Sequence, residues 1–120
     1  MIESFKSKHI LIFDSKLILT PTCHDLLLGA GATIVGPVST LVEAYENLIS
    51  QVVDGVIIDI EVNEFELVEL SKTLDELGVP FLFVTSHRSD VGPYILIGDV
   101  IELTKIGLAL FSPPQSRTIH

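Results

Sequence analysis

The sequence has no tryptophan, one methionine and one cysteine, Cys23. A lone cysteine forms no internal disulfide and builds no zinc cage, so the fold needs neither staple. Basic residues are scarce: seven Lys and Arg stand against 16 Asp and Glu, a formal net charge of −9 over 120 residues. Such a surface repels phosphate backbones and anionic lipids, which argues against nucleic-acid and membrane partners. No apolar stretch reaches transmembrane length, and the run in MIESFKSKHILIF is too short for a secretory signal. The expectation is a cytoplasmic protein. What the chain does have is apolar side chain, 48% of residues, enough for a real core and too much for disorder. Its length suits one domain, residues 1–120, with 113–120 reading as a flexible tail.

Five apolar runs recur: HILIF (9–13), ATIVG (32–36), DGVIID (54–59), VPFLFVT (79–85) and DVIEL (99–103). The first four do not alternate apolar with polar, so both faces should be covered, as in a parallel sheet flanked by helices. Between the runs lie helical patterns. Segment 16–29 carries Leu26, Leu27 and Leu28, and Pro21 fits only near a helix start. Segment 40–51 opens on Thr40 and Glu43 at capping-box spacing. Segment 64–77 sets Leu67, Leu70, Leu74 and Leu77 on one face, and Gly78 suits a left-handed stop. Strand–helix alternation predicts a doubly wound α/β fold, five parallel strands with helices on both sides. Residues 86–98 hold two Gly and a Pro, so a fourth helix there should be short or irregular, and 106–112 has room for one or two turns.

In such a sheet the ligand site lies beyond the carboxyl ends of the strands. Asp14 and Ser15 follow the first run, Asp59 ends the third, Thr85 and Ser86 end the fourth, and Thr104 and Lys105 follow the fifth. Carboxylates, hydroxyls and an ammonium should therefore meet on one edge. A carboxylate ending the most apolar strand is costly to bury without a cation or hydrogen-bond donors beside it.

The chain resembles the receiver domain of two-component response regulators, the CheY-like fold. Asp14, Asp59, Thr85 and Lys105 match, in order, the family's acidic residue after strand one, Asp ending strand three, Thr or Ser ending strand four and Lys ending strand five. GATIVGPVSTLVEAYENL and ELGVPFLFVTSH also look like receiver segments. The resemblance implies strand order 2-1-3-4-5 and phosphoryl transfer from a histidine kinase or phosphotransfer protein to Asp59, the phosphoacceptor. It implies Mg²⁺ held by Asp14, Asp59 and the backbone carbonyl of Glu61, a hydroxyl donated by Thr85, and Lys105 paired with a phosphoryl oxygen. The output would be contact with a downstream protein, and homodimerisation is a further expectation.

Departures from the pattern stand beside these matches. Ser15 occupies the place of a second acidic metal ligand, Glu102 that of an aromatic residue three before the lysine, and Ile106 that of the proline after it. A neutral hydroxyl is a poor Mg²⁺ ligand, and losing one carboxylate costs on the order of 1–3 kcal/mol, so weak binding is expected. The alternative function is a pseudo-receiver, an interaction or dimerisation module that works without phosphorylation. A nucleotide- or flavin-binding domain has no supporting loop. GAGATIVG (29–36) precedes a strand instead of following one, which suits a helix end and turn. Plainer roles compete at single positions: Asp59 as a helix cap, Asp14 as a cap for the first helix, Lys105 as a surface lysine, and Cys23-His24 as filler in an apolar helix.

Overall fold

The computed structural model describes residues 3–14, 19–59, 63–85, 94–96 and 99–111. A 3₁₀ turn at Glu3–Phe5 leads into β1 (His9–Phe13). Then follow α1 (Pro21–Gly29), β2 (Thr33–Val38), α2 (Leu41–Ser50), β3 (Gly55–Asp59), α3 (Glu64–Leu77), β4 (Phe81–Thr85), β5 (Tyr94–Ile95) and α4 (Val100–Phe111). The strands form one parallel sheet in the order β2-β1-β3-β4-β5. This is the doubly wound α/β architecture that the alternating runs predict.

Covering both faces is what the unbroken apolar strands require. Ile10 and Ile12 of β1, Ile57 of β3 and Leu82 and Val84 of β4 face one layer, where Cys23 and Leu27 of α1 meet Leu103, Ile106 and Leu110 of α4. Leu11, Phe13, Val56 and Ile58 face the other, against Ala44 of α2 and Leu70 and Leu74 of α3. Every residue of β3 is buried.

Helix ends follow the chemistry of the sequence. Thr20 Oγ1 accepts the Cys23 N–H at the start of α1, with Pro21 in the first turn, and Thr40 Oγ1 accepts the Glu43 N–H at the start of α2. Asn63 caps α3 by accepting the N–H groups of Phe65 and Glu66, and Gly78 ends it at φ 73°, a conformation that costs a residue with a Cβ.

Two readings of the sequence are corrected. Strand two does not stop at Gly36-Pro37 but runs to Val38, with a register shift opposite Leu11–Phe13. Proline is tolerated there because β2 is an edge strand, and Gly36 supplies φ 94° for the irregularity. The larger correction concerns 99–103, read as strand five. Those residues begin α4, which extends to Phe111 in place of one or two turns, and strand five is Tyr94–Ile95. Leu103, Ile106 and Leu110 recur at helical spacing and are all buried. Of the segment expected to hold an irregular fourth helix, the described part contributes β5. The rest of it and the 113–120 tail lie outside the described residues.

Candidate functional site at the carboxyl edge of the sheet

β1, β3 and β4 are neighbours, and their registers decide what meets at their ends. Phe13 pairs with Ile58, which brings Asp14 level with Asp59 across adjacent strands about 4.8 Å apart. Asp59 pairs with Val84, so Thr85 stands one residue further along β4. All three are buried, with relative exposures of 1% for Asp14, 2% for Asp59 and 7% for Thr85. By the two-residue period of a strand, Asp14 shares the side of Ile12 and Asp59 that of Ile57, the side covered by α1 and α4. Asp14 and Asp59 therefore share one side at this edge, whereas Thr85, by the same period, shares the side of Phe83 on the other layer.

Asp14 also does local work. Its N–H donates to the Val38 carbonyl at 2.8 Å, and its Oδ2 accepts the Leu19 N–H at 3.0 Å. The carboxylate thus braces the chain leading into α1, while the cap itself, the plainer role expected of Asp14, is made by Thr20. The Thr85 carbonyl accepts the Leu96 N–H at 2.8 Å, extending the β4–β5 ladder past Ile95. Ser15 and the Glu61 carbonyl, both expected near a metal, lie outside the described residues.

Lys105 is not at a strand end. It sits in the second turn of α4, 57% of its side chain is exposed, and its Nζ lies 3.4 Å from Glu102 Oε2. The strand on which its expected place rested is a helix, so the match to a strand-five lysine fails with it. So do the comparisons built on Glu102 and Ile106. The residues leaving β5 are Leu96, Ile97, Gly98 and Asp99, with no lysine among them. Asp99 Oδ1 instead accepts the N–H groups of Ile101 at 2.8 Å and Glu102 at 3.4 Å. Asp99 followed by Glu102 has the spacing of a helix-start box, the signal that would have revealed α4.

Among the described residues, no group of three or more His, Cys, Asp or Glu side chains comes close enough to hold a metal ion. Asp14 and Asp59 offer two carboxylates, with one oxygen of Asp14 already accepting a backbone N–H. That set suits Mg²⁺, which accepts one or two carboxylates and keeps several waters, though it suits it thinly. Cys23 lies in the core, where burial pushes its thiol up to about 11, so it is no nucleophile at neutral pH. None of the helices among the described residues is long and apolar enough to cross a membrane.

No protein-family model matches the sequence, and no curated protein matches it. Solved structures do. SdrG from Pseudomonas melonis Fr1, in its BeF3-activated conformation, matches with a TM-score of 0.70 at 22% identity, over 88% of this chain and 97% of that one. The response regulator PhyR from Brucella abortus matches with a TM-score of 0.65 at 18% identity, over 96% of this chain and 53% of PhyR. At such identities the likeness speaks to architecture, and with the strand order it gives one result: the chain has the CheY-like receiver fold.

Proposed function

We propose that this chain is a receiver-fold signalling module that acts by protein contact without depending on phosphorylation of Asp59. The observation that carries the reading is the position of Lys105 on α4, paired with Glu102, while β5 is left by Leu96-Ile97-Gly98. A carboxylate is a weak nucleophile, and a phosphoryl group brings negative charge toward it. Positive groups are needed to offset that charge, and positioning them is most of what a protein contributes to phosphoryl transfer.

In the receiver pattern the lysine at the end of strand five supplies one of those charges and Mg²⁺ the other. Aligned on the strand itself, Tyr94 takes the aromatic position and Ile97 the lysine position three residues on. Mg²⁺ would be held by Asp14 and Asp59, weakly, and when bound would neutralise phosphoryl oxygens. Ser15 adds no charge to that site. Asp59, Asp14 and Thr85 on adjacent strand ends favour the second reading, a slow phosphoacceptor served by a histidine kinase or phosphotransfer protein. The protein-contact reading fits a cytoplasmic setting equally well.

The experiment is acyl-phosphate formation from a small phosphodonor across a Mg²⁺ titration. Wild type should stay unlabelled, as should Ser15→Asp, while Ser15→Asp/Ile97→Lys should gain labelling that Asp59→Asn removes. Labelling of wild type that Asp59→Asn abolishes would overturn the reading in favour of the phosphoacceptor.

A further inference from the structure

α1 begins without a charge of its own. Of the four α-helices among the described residues, α2 has Glu43 in its first turn, α3 has Glu64 and Glu66, and α4 has Glu102. The first turn of α1 has no acidic residue. The amino end of a helix carries partial positive charge and favours an anion beside it. α1 is also short, nine residues from Pro21 to Gly29, too few for backbone bonds alone to hold it in water.

Part of what secures its start comes from the end of β1. Thr20 caps the helix: its Oγ1 accepts the Cys23 N–H at 3.2 Å and its carbonyl the His24 N–H at 2.9 Å. One residue earlier, the Leu19 N–H donates to Asp14 Oδ2 at 3.0 Å, and Leu19 packs on the layer that holds Cys23 and Leu27. Asp14 is 1% exposed, so water and salt screen its charge little. The same carboxylate stands level with Asp59 at the end of β3. A divalent cation held there would draw on the charge that the Leu19 N–H and the helix start also use. A hydrogen bond to an ionised acceptor is roughly twice as strong as one between neutral groups, so neutralising Asp14 weakens the bond even where it survives.

We propose that Asp14 is shared between α1 and a divalent cation, so that a cation at the Asp14–Asp59 edge loosens the start of α1. Linkage makes the effect reciprocal: an ordered α1 start lowers the affinity of the edge for the cation. α1 is then the element that reports the state of the strand ends, and its first turn presents Pro21 and Thr22 to solvent. The proposal rests on the weak Mg²⁺ site described above and not on phosphorylation of Asp59.

The test is amide hydrogen exchange of the full chain, read by NMR with and without saturating Mg²⁺ at constant ionic strength. In wild type, exchange at Leu19, Cys23 and His24 should quicken about three- to fivefold with Mg²⁺, while Leu70 and Leu74, on the other layer, stay within about 1.5-fold. Asp14→Asn should exchange fast at those three positions without the cation and should not respond to it. Thr22→Glu, at an exposed position, gives α1 an acidic group of its own. Its response should fall below about twofold while Mg²⁺ still shifts the amide signal of Asp59. Mg²⁺ shifts at Asp59 with unchanged or slower exchange at Leu19 would overturn the proposal and leave the metal site standing. A full response in Thr22→Glu would overturn it too, since the helix would then not depend on the charge of Asp14. No Mg²⁺ response at either strand end would remove the metal site and the proposal with it.

Discussion

The two halves of the sheet differ in how completely they are built. β3 is paired on both sides, with all five of its residues buried, and it ends on Asp59 beside Asp14. β5 is two residues long, pairs with β4 alone, and is followed closely by α4. The receiver-like residues Asp14, Asp59 and Thr85 all lie on the β1–β3–β4 side, and the expected strand-five lysine is what the β5 side lacks. Backbone pairing on both sides fixes what a strand end presents. A short edge strand fixes less, and here the chain's chemistry departs from the pattern.

The largest effect should come from the core of the better-built half. Ile57→Ala in β3 removes methylenes from a fully buried site between two layers, and a loss of about 3–4 kcal/mol is expected. Ile95→Ala in β5 removes the same groups at a sheet edge that can relax, and about half that loss is expected. Urea unfolding with a shared slope measures both. Equal losses would mean that β5 is anchored as firmly as β3, and the contrast between the halves would collapse.

Next in size is Gly107, where α4 passes the amino-terminal turn. A Cβ there would stand 2.9 Å from the Ser4 Cβ and 3.0 Å from a ring carbon of Phe5. Gly107→Leu should therefore cost about 1–3 kcal/mol by overpacking. Leu108→Ala, one residue on and half-exposed, should change stability by less than about 0.5 kcal/mol. A tolerated Gly107→Leu would mean that α4 does not pack on this turn.

Asp99→Ala is expected to cost about 1 kcal/mol and to lower helical circular dichroism, because Asp99 caps α4. A strand at 99–103 would lose neither. This substitution separates the observed element from the one the apolar run DVIEL suggested.

The places where the sequence misled have physical causes. HILIF, DGVIID and VPFLFVT could be read as central strands because two covered faces leave no polar alternation, and Thr40, Glu43, Pro21 and Gly78 marked helix ends with side-chain chemistry. DVIEL failed because a five-residue apolar run carries no period of its own. Its helical stripe shows only when Leu103, Ile106 and Leu110 are taken together. YI gave no signal, since two paired residues owe their extended form to the neighbouring Val84 and Thr85. Asp14 and Asp59 were legible as strand-end carboxylates, while the Lys105 match inherited the error in strand five.

The smallest expected effect lies at the amino edge of the better-built half. Asp54 Oδ2 accepts the His9 N–H at 2.7 Å and faces the His9 ring Nδ1 at 3.2 Å, while the Asp54 N–H donates to the His9 carbonyl at 2.7 Å. The backbone donor of His9, helped by its ring and by Lys8 and opposed by burial, holds the Asp54 carboxyl below its ordinary value of 3.8. A carboxyl lowered in the folded state favours folding at pH values above its unfolded value. That contribution disappears as pH falls through the folded value, so it belongs to the acid limb below about pH 4. With a third of the Asp54 side chain exposed, solvent screening limits it to less than about 1 kcal/mol. Urea unfolding of wild type and Asp54→Asn between pH 6 and pH 2.5 isolates it, because the other carboxylates titrate in both proteins. The wild-type advantage should be present at pH 6 and shrink as pH falls below about 4. Parallel curves would show that the hydrogen bonds to His9 matter for geometry alone, with no dependence of the entry to β3 on the Asp54 charge.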